Sequence, residues 1–378
     1  MSKQKKKEKK NKGQIIFMIL MIGAGVVLGV VSGVRSSITG TNETEFWMGE
    51  FVLIMSICLA MILQIIIHEA GHLVFGLLSG YRFCSFRIGN IMLLKDDEKW
   101  VLRNYSLAGT GGQCLMSPPD FVDGKIPVAL YNFGGCIMNV IASILFVAVA
   151  VHAGSNELVF TFSISMILIG ITFALTNGIP LQVGMINNDG MNAISLGKNP
   201  AALRAFWTQL RVNEELTRGK RLKEMSPSYF AIPAESEMGD TMVATIAVFH
   251  ANWLMDQVRL EEAEPYIKAL LAKKTGISGL HRSILISERI YLELVVNKNV
   301  DEAIRLHDKA HEKFVKAMKT MPSIIRTEYA YALLAEKDEE KAKKILNQFE
   351  KNAKTYPYPR EIEGERELIA RVQNENNN

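Results

Sequence analysis

The sequence predicts a mostly α-helical chain: a polytopic membrane helix bundle of about four spans with a small cytoplasmic β-hairpin, then a soluble, all-α, repeat-like domain. Three observations carry that expectation. Apolar segments occupy 15–34, 51–78, 126–151 and 158–179, each near or above the ~20 residues that cross a hydrocarbon core. The 48% hydrophobic content of the 378 residues is concentrated there, whereas the chain after about Lys198 is water-soluble in character and reads as helical throughout. The expected divisions are a basic tail at 1–13, a membrane domain at 14–197, a helical domain at 198–373 and a disordered tail at 374–378.

The first segment follows a polybasic block. The first 12 residues hold seven lysines and one glutamate, so the net charge of +4 belongs to that tail, and 36 basic residues face 38 acidic ones in the rest. Such a block before a span marks the cytoplasmic side and suits contact with anionic lipid headgroups. Neither aromatic interleaving nor a recognition fold accompanies it, so nucleic acid is not an expected partner. The apolar run is too long for a secretory signal core and lacks a clear small-residue cleavage site, so it reads as an uncleaved anchor. With this orientation 35–50 faces outward, and 81–125, with Arg82, Arg87, Lys95, Lys99, Arg103 and Lys125, faces inward. The expected protein is thus multi-pass in the cell membrane, with both termini cytoplasmic. Cys58, Cys84, Cys114 and Cys136 show no C-x-x-C spacing, and neither disulfides nor a cysteine zinc site is expected.

The second segment contains His68-Glu69-Ala70-Gly71-His72, and ionisable residues inside a span are costly and usually functional. Residues four apart share a helix face, so His68 and His72 can present imidazole nitrogens to one metal ion. Glu69 stands about a third of a turn away, where it reaches a metal-activated water without being a ligand. That is the zincin arrangement, in which zinc lowers the water pKa to ~7 and the glutamate takes its proton before attack on an amide carbonyl. A pair of hydrogen-bonded core histidines is the bland alternative.

A third protein ligand is needed. The fourth segment ends in Asn177-Gly178-Ile179-Pro180 and continues to Asp189-Gly190. Pro180 interrupts the helix, and Gly184 and Gly190 permit an irregular backbone that aims Asp189 back at the histidines. Asp189 is therefore the candidate ligand, with Asp120 and Asp123, in the loop after Ser117-Pro118-Pro119, as competing carboxylates. Asn139, an amide within the third segment, must find a partner there, either as interhelical glue or at the site. Asn177 has the same ambiguity, with capping of the span's end as its plain role.

Between the second and third segments, apolar stretches at 83–88, 91–94 and 100–102 flank the charged turn Lys95-Asp96-Asp97-Glu98-Lys99 and predict a hairpin. Its edge is a candidate to bind an unfolding substrate segment as an added strand. The Gly- and Pro-bearing segments 109–127 and 178–190 are candidates to open the site.

In the helical domain, Leu260-Glu261-Glu262-Ala263, Val300-Asp301-Glu302-Ala303 and Glu339-Glu340-Lys341-Ala342 recur at spacings of 40 and 39 residues, each after an apolar-aromatic helix. They resemble degenerate tetratricopeptide-like repeats, although the usual period is ~34. A partner-docking role and a plain helical bundle both suit them. His307 and His311 also have four-residue spacing, but on a charged helix with no third ligand close in sequence they read as a solvated face.

Together, these residues resemble the bacterial site-2 protease type of intramembrane zinc metalloprotease, over roughly residues 64–193. The resemblance rests on HEAGH at 68–72, on Asn177-x-x-Pro180 followed by Asp189-Gly190, and on Gly134-Gly135-Cys136-Ile137-Met138-Asn139. In that last element the family usually has Ala-Gly-Pro-x-x-Asn, so Gly134 and Cys136 depart from it. The resemblance implies one zinc ion on His68, His72 and Asp189, Glu69 as catalytic base, and Asn139 and Asn177 lining the substrate site. It also implies a membrane-embedded protein or peptide as substrate, in regulated intramembrane proteolysis or in signal or pheromone peptide processing. A non-catalytic scaffold recruiting partners through the helical domain is the alternative, against which the intact Glu69 and Asp189 argue. A peptidase for soluble peptides fits less well, since Gln64-Ile65-Ile66-Ile67 and Leu73-Val74-Phe75 look lipid-like.

Overall fold

The computed structural model describes residues 18–19, 22–23, 25–27, 29–30 and 33–34, all helical, and 43–376 apart from 97–98, 106–110 and 184–185. The basic tail and much of the first expected span lie outside the described residues. The chain forms two compact units, Met1–Arg82 with Lys125–Asn199 and Phe83–Gly124 with Pro200–Asn378.

The first unit is built on three helices, α1 (Glu43–Leu78), α2 (Ala129–His152) and α3 (Glu157–Gly178), each long and apolar enough to cross a membrane. The α1 helix starts ahead of its apolar run, with Glu43 and Glu45 in its first turn, where the helix dipole favours acids. Asn156 caps α3 by accepting from the Val159 N–H at 3.1 Å. One apolar cluster between the helices is formed by Ala60, Met166 and Ile169 with a ring of half-buried neighbours. Buried polar residues, Gln64, Asn139, Ser143, Ser163, Ser165, Thr172 and Thr176, lie inside, while Ile54, Leu59, Ile62, Ile144 and Leu145 are exposed. This inside-out distribution suits a lipid solvent, in which close packing and hydrogen bonds rather than hydrophobic burial join the helices. Gly71 and Gly134 bring α1 and α2 together, since a Cβ on Gly134 would stand 2.6 Å from the Gly71 carbonyl oxygen.

After α3, the short strands β5 (Gln182–Val183) and β6 (Ile186–Asn187) pair antiparallel and lead into α4 (Asp189–Ser195). The numbers β1 to β4 belong to the second unit: β1 (Arg82–Ile88), β2 (Ile91–Asp96), β3 (Lys99–Asn104) and β4 (Gly112–Ser117), in the order β3-β2-β1-β4. The expected hairpin is therefore part of a four-stranded sheet. Asp96 pairs with Lys99 across the expected turn, and β4 occupies part of the segment expected to be a flexible opening element. The sheet belongs with the helices of the second unit, as Met92 and Leu94 bury against Tyr358.

The helices of the second unit are α5 (Pro200–Thr217), α6 (Thr241–Asp256), α7 (Leu260–Ala272), α8 (Gly279–Val295), α9 (Val300–Leu306), α10 (Lys309–Ala317), α11 (Pro322–Ala330), α12 (Glu339–Ala353) and α13 (Pro359–Asn376). A π-helical turn, Tyr331–Ala335, follows α11. The three sequence repeats are structural. Each starts a helix, α7, α9 or α12, and each is preceded by a left-handed residue, Val258 (φ 57°), Lys298 (φ 51°) or Lys337 (φ 57°). The next residue's N–H returns to the preceding helix, Arg259 to the Leu254 carbonyl at 3.0 Å, Asn299 to Glu293 at 2.8 Å and Asp338 to Ala332 at 3.0 Å. This reversal folds consecutive helices back on each other, and the repeated Ala263, Ala303 and Ala342 are buried where they pack. The α13 helix continues to Asn376, and residues 377–378 of the expected disordered tail lie outside the described residues. Lys298 donates to Glu375 at 2.6 Å and ties that end down.

Candidate metal centre

The α1 helix carries His68 and His72 one turn apart on a buried face. Asp189 arrives from the chain after α3, where the intervening residues fold out as the β5–β6 ribbon. The Asn188 side chain holds the base of that ribbon. It accepts from the Leu181 and Met191 N–H groups, each at 3.0 Å, and donates to the Thr176 and Ile179 carbonyls at 2.8 and 2.6 Å. Asp189 is thereby fixed as the first residue of α4. Gly190 is required beside it, because a Cβ there would collide with the Gly178 carbonyl.

Three ligating atoms converge. His68 Nε2 lies 3.1 Å and His72 Nε2 3.4 Å from Asp189 Oδ2, and the two Nε2 atoms are 3.2 Å apart. Donors on a tetrahedral zinc ion, with bonds of ~2.0–2.1 Å, stand ~3.3 Å from one another.

The tautomers follow from a chain of hydrogen bonds. Gln64 Nε2 donates to the Met166 carbonyl at 2.8 Å, leaving Gln64 Oε1 to accept. Asn139 Nδ2 donates to that Oε1 at 2.7 Å and to the Gln64 carbonyl at 3.0 Å. Its Oδ1 must then face His68, whose Nδ1 donates to it at 2.7 Å. His72 Nδ1 donates to the Tyr131 carbonyl at 2.9 Å. With each Nδ1 carrying the proton of a neutral imidazole, both Nε2 atoms offer lone pairs. Two imidazole lone pairs and a carboxylate oxygen within 3.4 Å of one another form an all-acceptor set. A cation satisfies it, and the residues fit zinc.

The sequence-derived candidates divide accordingly. His68, His72 and Asp189 come together, with Glu69 half-buried on the same helix. Of the competing carboxylates, Asp120 pairs with Arg211 at 2.7 Å and Asp123 takes a left-handed turn conformation (φ 49°). Asn139, expected to line the substrate site, is fully buried, and its amide engages His68 Nδ1 at one end and Gln64 at the other. Asn177 donates to the Phe173 carbonyl in its own helix at 3.1 Å.

Gln64, the Tyr131 carbonyl and Asn188 were missed from sequence. For Gln64 a signal exists, because 64, 68 and 72 form one stripe at four-residue spacing. Partners of this kind hold a ligand's tautomer and orientation, and their loss costs metal affinity ~10–100-fold. Gln64→Leu is expected to weaken zinc binding by about that factor while preserving helix content. Competition with a chelator of known affinity measures it, and an unchanged zinc dissociation constant would remove Gln64 from the site.

The protein-family model described as peptidase family M50 matches residues 56–352. No curated protein and no solved structure matches the chain.

Proposed function

The chain belongs to peptidase family M50, the site-2 protease family, and we propose that it acts as an intramembrane zinc endopeptidase cutting transmembrane or membrane-proximal segments. The observation that carries this reading is the all-acceptor trio of His68, His72 and Asp189 at zinc-like spacing, built from helices able to cross a bilayer.

The chemistry that zinc supplies when bound is a water whose pKa is brought to ~7 and a polarised substrate carbonyl. His68, His72 and Asp189 would hold the ion. Glu69 takes the proton of the attacking water and returns it to the departing amine as the peptide bond breaks. Asn139 and the Tyr131 carbonyl keep the two imidazoles in the ligating tautomer. Hydrolysis consumes water, so the bundle must admit it through a hydrophilic opening, as lipid holds none.

The proposed substrate is a membrane-embedded protein or peptide, in regulated intramembrane proteolysis or in signal or pheromone peptide processing. The lysine-rich tail supports a cytoplasmic amino terminus in a multi-pass arrangement, with the helical domain on the same side and available to a cytoplasmic partner.

The test is metal removal. Detergent-purified protein stripped with a strong chelator is expected to lose cleavage of single-span candidate substrates and to regain it when zinc is added back. Cleavage that survives complete removal of metal would overturn the reading.

A further inference from the structure

The helical unit holds a second convergence of ligating side chains that the proposed protease chemistry does not use. His307 and His311 read in sequence as a solvated pair, and the structure contradicts the grounds for that reading. His307 ends α9 and His311 lies in the first turn of α10, held there by Asp308, whose carboxylate accepts from the Ala310 and His311 N–H groups at 2.9 and 2.8 Å. His311 is 5% exposed and the His307 side chain 11%. The missing third ligand comes from α11, where Glu328 Oε1 lies 2.9 Å from His307 Nε2. One ligating atom from each of the three residues falls within 4.8 Å of the others.

A second observation concerns the backbone. The π-helical turn starts at Tyr331, one helical turn after Glu328, and its phenol ring lies flat against the His307 imidazole, with centroids 4.1 Å apart and planes 13° apart. Single π turns inside α-helices occur frequently at functional positions, and this one supports the face of a candidate ligand.

We propose that His307, His311 and Glu328 bind a second divalent transition-metal ion, zinc foremost. Two imidazoles and a carboxylate form a donor set suited to zinc, whereas magnesium and calcium take oxygen ligands. The His307–Glu328 edge is already closed. The widest separation, at most 4.8 Å, must shorten by up to roughly 1.5 Å to reach the ~3.3 Å spacing of a tetrahedral set. Rotation of the His311 ring would supply that movement, giving up the contact of its Nε2 with Ser287 Oγ at 3.5 Å, the long limit of a hydrogen bond. The bound ion would tie the α9–α10 junction to α11 and so stiffen neighbouring helical repeats. The site needs nothing from the proposed protease chemistry.

Metal counting on the full chain in detergent, after dialysis against buffered zinc, tests the proposal. Two zinc ions are expected per wild-type chain, one in Asp189→Ala, one in His311→Gln, and none when both changes are combined. His311→Gln keeps a hydrogen-bonding side chain, and far-UV circular dichroism checks its fold. If that variant loses structure, Glu328→Gln serves in its place with the same expected count. Zinc should also raise the unfolding temperature of Asp189→Ala, but not of the combined variant. One zinc in the wild type that is lost in Asp189→Ala, or two retained in both His311→Gln and Glu328→Gln, overturns the second site. One zinc in the wild type that is lost in His311→Gln and kept in Asp189→Ala supports it while overturning the proposed catalytic centre, so the two failures are distinguishable.

Discussion

Glu69→Gln is expected to keep its zinc and lose cleavage by about 10²–10⁴-fold, the usual contribution of a positioned general base. The substitution preserves size and removes only the ability to accept a proton, so the change isolates one step. His68 and His72, on either side in the same helix, keep their partners Asn139 and the Tyr131 carbonyl in this variant, and metal content should not fall. Zinc content and turnover of a single-span substrate, measured on one preparation, give the result. Wild-type turnover would exclude Glu69 as the base, and loss of metal together with activity would point to a ligating role.

Asp189→Ala is expected to abolish zinc binding at the membrane centre. Its Oδ2 is the corner shared by the two Nε2 atoms, at 3.1 and 3.4 Å. Removing a direct ligand should cost more than the ~100-fold upper range for residues that only orient ligands. Asn188 still caps α4 in this variant through the Met191 N–H, so the backbone around the site should persist. The controls are Asp120→Asn and Asp123→Asn, both expected to retain the metal, with asparagine chosen at 123 because it tolerates the left-handed conformation. Competition with a chelator of graded affinity measures all three. Loss of one zinc in Asp123→Asn alongside the full wild-type zinc content in Asp189→Ala would reassign the third ligand.

How much of this was legible in the sequence depends on the range of the interaction involved. The second, third and fourth spans were readable because apolar length is a local property, and helices at Glu43–Leu78, Ala129–His152 and Glu157–Gly178 match them closely. His68, Glu69 and His72 were readable because helix geometry converts four-residue spacing into a shared face. The nearness of Asp189 to the histidines, at 3.1 and 3.4 Å, was readable from the helix break at Pro180. The contact of Asn139 with His68 was not readable, since it depends on the Gln64 amide, which in turn is oriented by a carbonyl on α3. Gln64 itself was hidden among isoleucines and read as part of a lipid-like run. The allegiance of the sheet was equally hidden, because Met92 and Leu94 find Tyr358 far along the chain. His307 and His311 show the same limit, as their third neighbour, Glu328, belongs to another helix.

Asn188 has a practical consequence for engineering. Its side chain clamps the base of the β5–β6 ribbon from both sides, so the length of the ribbon is uncoupled from the position of Asp189. A change in ribbon length is therefore expected to leave Asp189 in place. A short peptide inserted between Val183 and Ile186 should leave the zinc dissociation constant unchanged.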